Sequence, residues 1–492
     1  MAWQGNYSRL FIDGKWIEPA GNDRLSVVSP FTEEVIAQTP SATKADVDRA
    51  VAAARRAFDQ GPWPRMTLAE RMVVLRRLSA LMTENRDLIA GLVTSEMGCP
   101  ISLSQGMQAT GPRLLVDAFL ELAPRYPWQQ VRRCSTGNGL VSRAPVGAVA
   151  AIVPWNAPLL ISTIKLAPAL LSGCTVVLKP SPETPLDSYW LAEALAKSGL
   201  PDGVVNIVPA DREVSEHLAT HRDIDKVTFT GSTAAGRRIA SLCGQNLRRV
   251  TLELGGKSAA IILDDADFGG AIESLKVGSL RNNGQVCSNK TRIVVSRKRK
   301  AEFVEQYTAM VASLRVGDPM DPTTAQGPLV SRRQRERVEG YVDIGRKEGA
   351  KVALGGGRPA GLNRGWFVEP TVFVDVDPSM RIAQEEIFGP VVAVLTYEDE
   401  QEAAAIANNS DYGLNGSVFT SDLERGLSLA RKVRTGTVEL NGSPVGFHSP
   451  IGGFKASGIG REAGLEGFDA YVEIQTIGLP ASFVDSVEAG LR

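Results

Sequence analysis

The sequence predicts an α/β protein with a doubly wound parallel sheet and a second α/β unit, on three observations. From residue 147, continuous apolar runs alternate with helical segments: GAVAAIV (147–153), CTVVLK (174–179), VVNIV (204–208), KVTFT (226–230) and VTLEL (250–254). Strands apolar on both faces belong to a parallel sheet covered on both sides. Right-handed crossovers make such a sheet doubly wound. After Gly255 a second alternation runs through AAIIL (259–263), IVVS (293–296), VVAVLTY (391–397) and GSVFT (416–420). Finally, the 492 residues exceed the roughly 250–300 at which a single core stops growing, so at least two domains are expected.

The elements follow in order. LFIDGKWI (10–17) and VVSP (27–30) read as short strands. Thr43 and Asp46 form a capping-box pair, after which Val47, Val51, Ala54 and Phe58 line one helical face. Met72, Leu75, Leu78 and Met82 make a second stripe. Further helices are expected over 162–171, 185–198 and 233–243. The tail AYVEIQTIGLP (470–480) is strand-like without a place in the second unit, which points to an oligomer edge.

Composition removes several function classes. Lys plus Arg is 54 against 55 Asp plus Glu, so no charge excess favours nucleic acid or an anionic membrane. Five cysteines without a C-x-x-C pair fit a reduced, cytoplasmic protein. The start MAWQGNYSRL lacks a cationic segment followed by an apolar run, so no secretory signal is expected. The apolar stretch 146–179 is broken by Pro154, Pro158, Lys165 and Pro168, too often for a span of about 20 apolar residues.

Two glycine patterns mislead. GGGRPA (355–360) matches a dinucleotide fingerprint formally, but Pro359 and GLNRGW cannot open a helix, so a surface turn is expected. Gly231 to Gly236 has P-loop spacing, yet Arg237 and Arg238 replace the required Lys and Ser/Thr. FTGSTAAG still follows a strand and opens a helix. It is either a phosphate cradle at the positive helix end or a Gly turn with a Ser/Thr cap.

The chemistry centres on RNNGQVCSNKTR. Cys287 stands among Asn282, Asn283, Gly284, Gln285, Ser288 and Asn289, a polar setting that predicts an exposed, positioned thiol rather than an inert packing cysteine. Cys174 and Cys243 look like packing residues. Glu253 ends an otherwise apolar strand, where a carboxylate is either a salt-bridge partner or a general base with a raised pKa. The three histidines, His217, His221 and His448, form no Cys–His pattern, which argues against a papain-like hydrolase. No metal site is expected.

PWNAPLL, LKPSPETPL, FTGSTAAGRRI, LELGGKSAAIIL, NNGQVCSNKTR, QEEIFGPV and SPIGGFKASGIGRE occur in this order. Together they resemble the aldehyde dehydrogenase superfamily, non-acylating and NAD(P)-dependent, from LFIDGKWI to YVEIQT. The resemblance implies a Rossmann-like cofactor domain (1–123 and 146–254), an α/β catalytic domain (255–457), and an oligomerisation arm and tail (124–145 and 458–492) forming a homodimer or homotetramer. It assigns Cys287 as the nucleophile attacking an aldehyde, giving a thiohemiacetal and then a thioester. Asn156 and the Cys287 backbone N–H would hold the oxyanion. Glu253 would activate the hydrolytic water, with Lys165 and Glu473 as a proton relay. For the cofactor it implies Lys179 and Ser181 near the adenosine ribose and Gly231 and Ser232 at the pyrophosphate. Glu386 and Phe388 would position the nicotinamide end, which Ile152, Pro154 and Trp155 line, while Gly255 allows close backbone approach.

One departure concerns the cofactor. NAD-preferring members often carry a glutamate three residues after the ribose-binding lysine; here that position is Pro182, with Glu183 next. NAD is expected, with NADP as an alternative. The substrate path would be lined by Ala157, Leu160, Ile161, Ile164 and Val277, with Phe447 and Arg281 nearby. Arg281 is either a carboxylate clamp or a surface helix residue. This points to medium or bulky apolar aldehydes. Competing readings are a coenzyme A-acylating dehydrogenase, which has no need of Glu253, a Cys-dependent esterase or thioesterase, and a non-catalytic scaffold.

Overall fold

A computed structural model describes residues 7–491; most of the stretch read for a secretory signal lies outside them. The first sheet has the order Lys15–Ile17, Leu10–Ile12, Val205–Ile207, Thr175–Lys179, Ala148–Ile152, Lys226–Thr230, Arg249–Glu253, Gly458–Ile459. Its five central strands are parallel. Every residue of Ala148–Ile152 and Thr175–Lys179 is buried, which is why these strands read as unbroken apolar runs. Strand order reverses between Ala148–Ile152 and Lys226–Thr230. The loops leaving these neighbours therefore diverge to opposite faces and open a crevice at their carboxyl ends.

The second sheet has the order Lys351–Leu354, Thr371–Val374, Val391–Tyr397, Arg292–Ser296, Ala259–Ile262, Asn415–Phe419, Thr437–Leu440, parallel except at its first pair. The tail strand Val472–Leu479 finds its place in a third sheet, beside Gly137–Pro145 and then Gln129–Cys134. Gly458–Ile459, expected in the tail, instead completes the first sheet by pairing with Leu252 and Glu253.

Local chemistry sets the helix ends. The Lys44–Asp59 helix starts at Thr43, whose side chain accepts from the Asp46 N–H while Asp46 answers back. Val47, Val51, Ala54, Met72, Leu75, Leu78 and Met82 are all buried, whereas Phe58 stays half-buried at the rim. The Pro158–Ser172 helix begins four residues before the expected start at 162 because Pro158 needs no N–H partner in a first turn. It ends at Gly173, whose φ of +94° only glycine adopts readily. Periodicity did not reveal the Arg86–Met97 helix or the Gly111–Leu122 helix with the π-helical turn Ser104–Thr110 before it. GGGRPA is a turn, with Gly355 and Gly356 at φ +73° and +90°. Among the described residues no helix is long and apolar enough to cross a membrane.

Candidate active site

The crevice at the strand reversal is a cavity of about 740 Å³, and Cys287 lies in its wall. Ile152, Pro154, Trp155, Asn156, Lys179, Ser181, Gly231, Ser232, Gly255, Glu386 and Phe388 line the same space. Most of these residues stand at or just beyond strand carboxyl ends, as doubly wound topology requires.

The polar residues around Cys287 are structural, which corrects the expectation of an exposed loop. Asn282 and Asn283 are buried and adopt φ of +58° and +60°. The Asn282 amide donates to the Asn156 carbonyl at 3.0 Å. That of Asn283 donates to the Gly98 and Pro328 carbonyls at 2.9 and 2.8 Å. Gln285 accepts from the Val330 N–H at 3.0 Å. These bonds satisfy a buried, irregular backbone and hold the loop rigid. Cys287 itself is half-buried, and the exposed cysteine is Cys134, ending the Gln129–Cys134 strand; Cys99, Cys174 and Cys243 are buried. Burial pushes the Cys287 thiol up to about 12, helped by Glu386 and Glu253 and opposed by Arg281.

Other side chains converge on this loop. The Asn156 amide donates to the Gln285 carbonyl at 3.0 Å, two residues before the thiol. Glu253 is buried, and its Oε1 has no hydrogen-bond partner among the described residues. Burial holds its carboxyl well above the usual range, reinforced by the Glu462 carboxylate and opposed by Lys165 and Arg461. A Cβ on Gly256 would sit 2.4 Å from the Cys287 carbonyl oxygen, so only glycine lets the two loops pass.

The cofactor-side wall is equally specific. Ser232 caps the Thr233–Gln245 helix, so its cap role and the cavity wall coincide. Lys179 is buried rather than solvated, which lowers its ammonium to about 8. Glu386 accepts from the Gly256 N–H at 2.9 Å, and burial raises its carboxyl to about 7. The space a Cβ on Gly255 would need is filled by that carboxylate, 2.5 Å away, so this glycine makes room for Glu386. Phe388 takes a left-handed φ of +63°, and its ring meets Trp155 edge-on at 5.3 Å. Such backbone strain costs on the order of 1–3 kcal/mol and gathers at binding sites. No histidine lines the cavity; His217 binds Asp48 and His448 binds Glu121. Among the described residues no cluster of His, Cys, Asp or Glu could hold a metal ion.

Known proteins resemble this chain over almost its whole length. Residues 16–477 match the profile of the Aldehyde dehydrogenase family. The chain is 44% identical to geranial dehydrogenase of Castellaniella defragrans, over 96% of this chain and 98% of that one. It is 47% identical, at TM-score 0.95, to a Mycobacterium tuberculosis aldehyde dehydrogenase solved with NAD+, covering 96% and 98%. A Pseudomonas syringae aldehyde dehydrogenase C variant, solved with NAD+ and octanal, matches at TM-score 0.93 and 41% identity, covering 96% of each chain. The chain belongs to the aldehyde dehydrogenase family. It is an NAD(P)-dependent oxidoreductase that acts on aldehydes.

In this dehydrogenase the expected Lys165–Glu473 pair does not form. Glu473 follows buried Val472 on a strand, so it points to the opposite face and pairs with Arg249, both about half exposed. Lys165 instead meets Glu462 at 2.6 Å, with both side chains buried, and donates to Thr228 at 3.1 Å. Glu462 ends the SPIGGFKASGIGRE motif, but nothing in the sequence marks it as buried. Arg281 is no surface helix residue: it ends its helix, reaches Ser288 at 3.3 Å, and leaves its buried Nε without a partner among the described residues. Ala157 and Ile164 are buried and Leu160 and Ile161 half-buried, whereas Val277 is 53% exposed.

Proposed function

We propose that Cys287 is the nucleophile, Asn156 the oxyanion donor and Glu253 the base of a two-stage oxidation ending in a carboxylic acid. The observation that carries this reading is the convergence of three groups. A thiol lies in the crevice wall, a side-chain amide is pinned to its loop, and an unpartnered buried carboxylate stands within Coulombic reach. The thiol gives its proton to solvent water, sulfur attacks the aldehyde carbon, and the new oxyanion accepts from the Asn156 amide and the Cys287 N–H. When bound, NAD+ accepts the hydride that leaves the substrate carbon. The resulting thioester is opened by water, whose proton passes to Glu253; the C–S bond breaks and the thiolate is restored.

Several features support a cofactor seat in the crevice. Ser232 and Gly231 offer a helix amino terminus to phosphate, Lys179 and Ser181 stand at the adenosine end, and Glu386 and Phe388 at the nicotinamide end. The carboxylate missing at Pro182 returns one residue later. Glu183 accepts from Ser181 Oγ at 2.6 Å and lines the cavity, where it favours NAD over the anionic 2′-phosphate of NADP.

For substrate, we favour medium or bulky apolar aldehydes, because the residues that follow Asn156 and that the resemblance places along the substrate path, Ala157, Leu160, Ile161 and Ile164, are all apolar. Geranial and octanal, in the names of two relatives, are of this kind. Exposed Ile474 and Ile477 on the outer strand of the third sheet support a homo-oligomer, for which sedimentation is the test. Five free cysteines suit the reducing cytoplasm. We divide the chain into 1–123 with 146–254, then 255–457, with 124–145 and 458–492 as arm and tail, apart from Gly458–Ile459, which joins the first sheet.

Mass spectrometry of Glu253→Gln, quenched during turnover, tests the assignment. The expected result is an acyl adduct on the peptide holding Cys287; an adduct elsewhere, or none, overturns it.

A further inference from the structure

An oxyanion formed beside Cys287 must be met by one particular hydrogen of the Asn156 amide. An amide nitrogen carries two hydrogens, and one of these is committed to the Gln285 carbonyl at 3.0 Å. Where the second points depends on how firmly the Asn156 backbone is held. We infer that Gln108, buried on the π-helical turn Ser104–Thr110, is a positioning residue: it clamps the Asn156 carbonyl and so aims the free amide hydrogen at the oxyanion.

Regular structure does not hold Asn156. It lies in the loop between the Ala148–Ile152 strand and the Pro158–Ser172 helix, and Ala157, which precedes that helix, offers no side-chain cap. Two side chains from distant parts of the chain do the holding. Gln108 Nε2 and Asn282 Nδ2 each donate to the Asn156 carbonyl at 3.0 Å. A carbonyl oxygen has two lone pairs, so this one is fully used. Asn282 belongs to the thiol loop and also reaches the Gln285 carbonyl at 3.4 Å. It therefore couples two loops to each other without tying either to a helix. Gln108 supplies that tie, because its turn packs on the Arg86–Met97 and Pro158–Ser172 helices.

Two observations set Gln108 apart from an ordinary core residue. The first is the turn that carries it. The Gly111 N–H bonds to the Gly106 carbonyl, five residues back rather than four. Such turns are rare and gather at functional sites. The second is incomplete pairing. Gln108 is fully buried, yet its Oε1 has no hydrogen-bond partner among the described residues. A buried amide with an unmet carbonyl is costlier than an apolar side chain of the same shape. Apart from Asn156, its nitrogen meets only Met97 Sδ, at 3.9 Å, among the described residues. Stability alone argues against a glutamine here; holding Asn156 argues for one.

This inference rests on Asn156 as the oxyanion donor, and a double-mutant cycle separates the two claims. Stopped-flow measurement follows the first NADH formed on mixing enzyme with NAD+ and octanal. Gln108→Leu should slow it by about tenfold, as a misaimed donor does, with the KM for NAD+ unchanged. Added to Asn156→Ala, it should cost nothing more, since no amide is left to aim. Gln108→Glu is the conservative rescue. Burial keeps its carboxyl protonated near neutral pH, so it still donates to Asn156. Its rate should match wild type there and fall, relative to wild type, as pH rises and the carboxyl ionises. Full activity in Gln108→Leu, losses that add in the double variant, or a Gln108→Glu profile parallel to wild type overturns the clamp. If Gln108→Leu does not fold, Gln108→Glu is judged by the same cycle at high pH. A wild-type burst in Asn156→Ala refutes the oxyanion donor itself; an impaired Asn156→Ala with additive losses refutes only the clamp.

Discussion

The two sides of Glu253 differ in kind. In front lies the crevice, whose wall is built from loop residues, glycines and one half-buried thiol. Behind it lies a closed polar cluster of Lys165, Thr228 and Glu462, where every side chain has a partner within the cluster. The front is organised around a space to be filled by ligands. The rear is organised around charges held in low dielectric, where a small change in protonation is energetically large. The front therefore suits positioning, and the rear suits holding charge.

Breaking the front should have the largest effect. Cys287→Ala should remove dehydrogenase turnover, a loss of at least about 10⁴-fold in kcat/KM; substantial remaining activity contradicts the nucleophile. Glu253→Gln comes next, with hydrolysis slowed about 10²–10⁴-fold while the first NADH still forms. Asn156→Ala should cost about 10²–10³-fold in kcat, or ~3–4 kcal/mol, with little change in cofactor affinity measured by fluorescence titration.

The raised Glu253 carboxyl makes a pH prediction. Only the ionised form accepts a proton from water, so the hydrolytic rate should still be rising above about pH 6, where an ordinary glutamate is already ionised. A kcat profile flat from there upward contradicts the raised value. A smaller effect is expected at the cofactor wall: Glu183→Gln should raise the NADP-to-NAD ratio of kcat/KM by about tenfold. The smallest concerns Glu473→Gln, which breaks only a half-exposed ion pair with Arg249. It should shift stability by less than about 1 kcal/mol and leave turnover unchanged. A large loss of turnover would restore the relay role the geometry removes.

The front was readable from sequence because chain order and spacing encode it. Apolar runs separated by helices dictate the sheet, and the residues at strand ends then face one crevice. Even so, polar neighbours suggested an exposed Cys287 loop, whereas Asn282, Asn283 and Gln285 turn inward to satisfy backbone that no regular element pairs. The rear was not readable. Lys165 meets Glu462 across 297 residues, and no local pattern distinguishes Glu462 from Glu473 eleven positions on. Strand pleat decides it: Val472 turns into the core and carries Glu473 outward. Lys226 likewise reads as an ordinary charged strand start until its burial is seen.

The proposed mechanism separates the redox and hydrolytic halves, with Cys287 serving both and Glu253 only the second. Rapid mixing of Glu253→Gln with NAD+ and an apolar aldehyde tests it most directly. A burst of about one NADH per active site followed by a nearly flat trace is expected. No burst, or a steady rate equal to that of the unaltered enzyme, would contradict it.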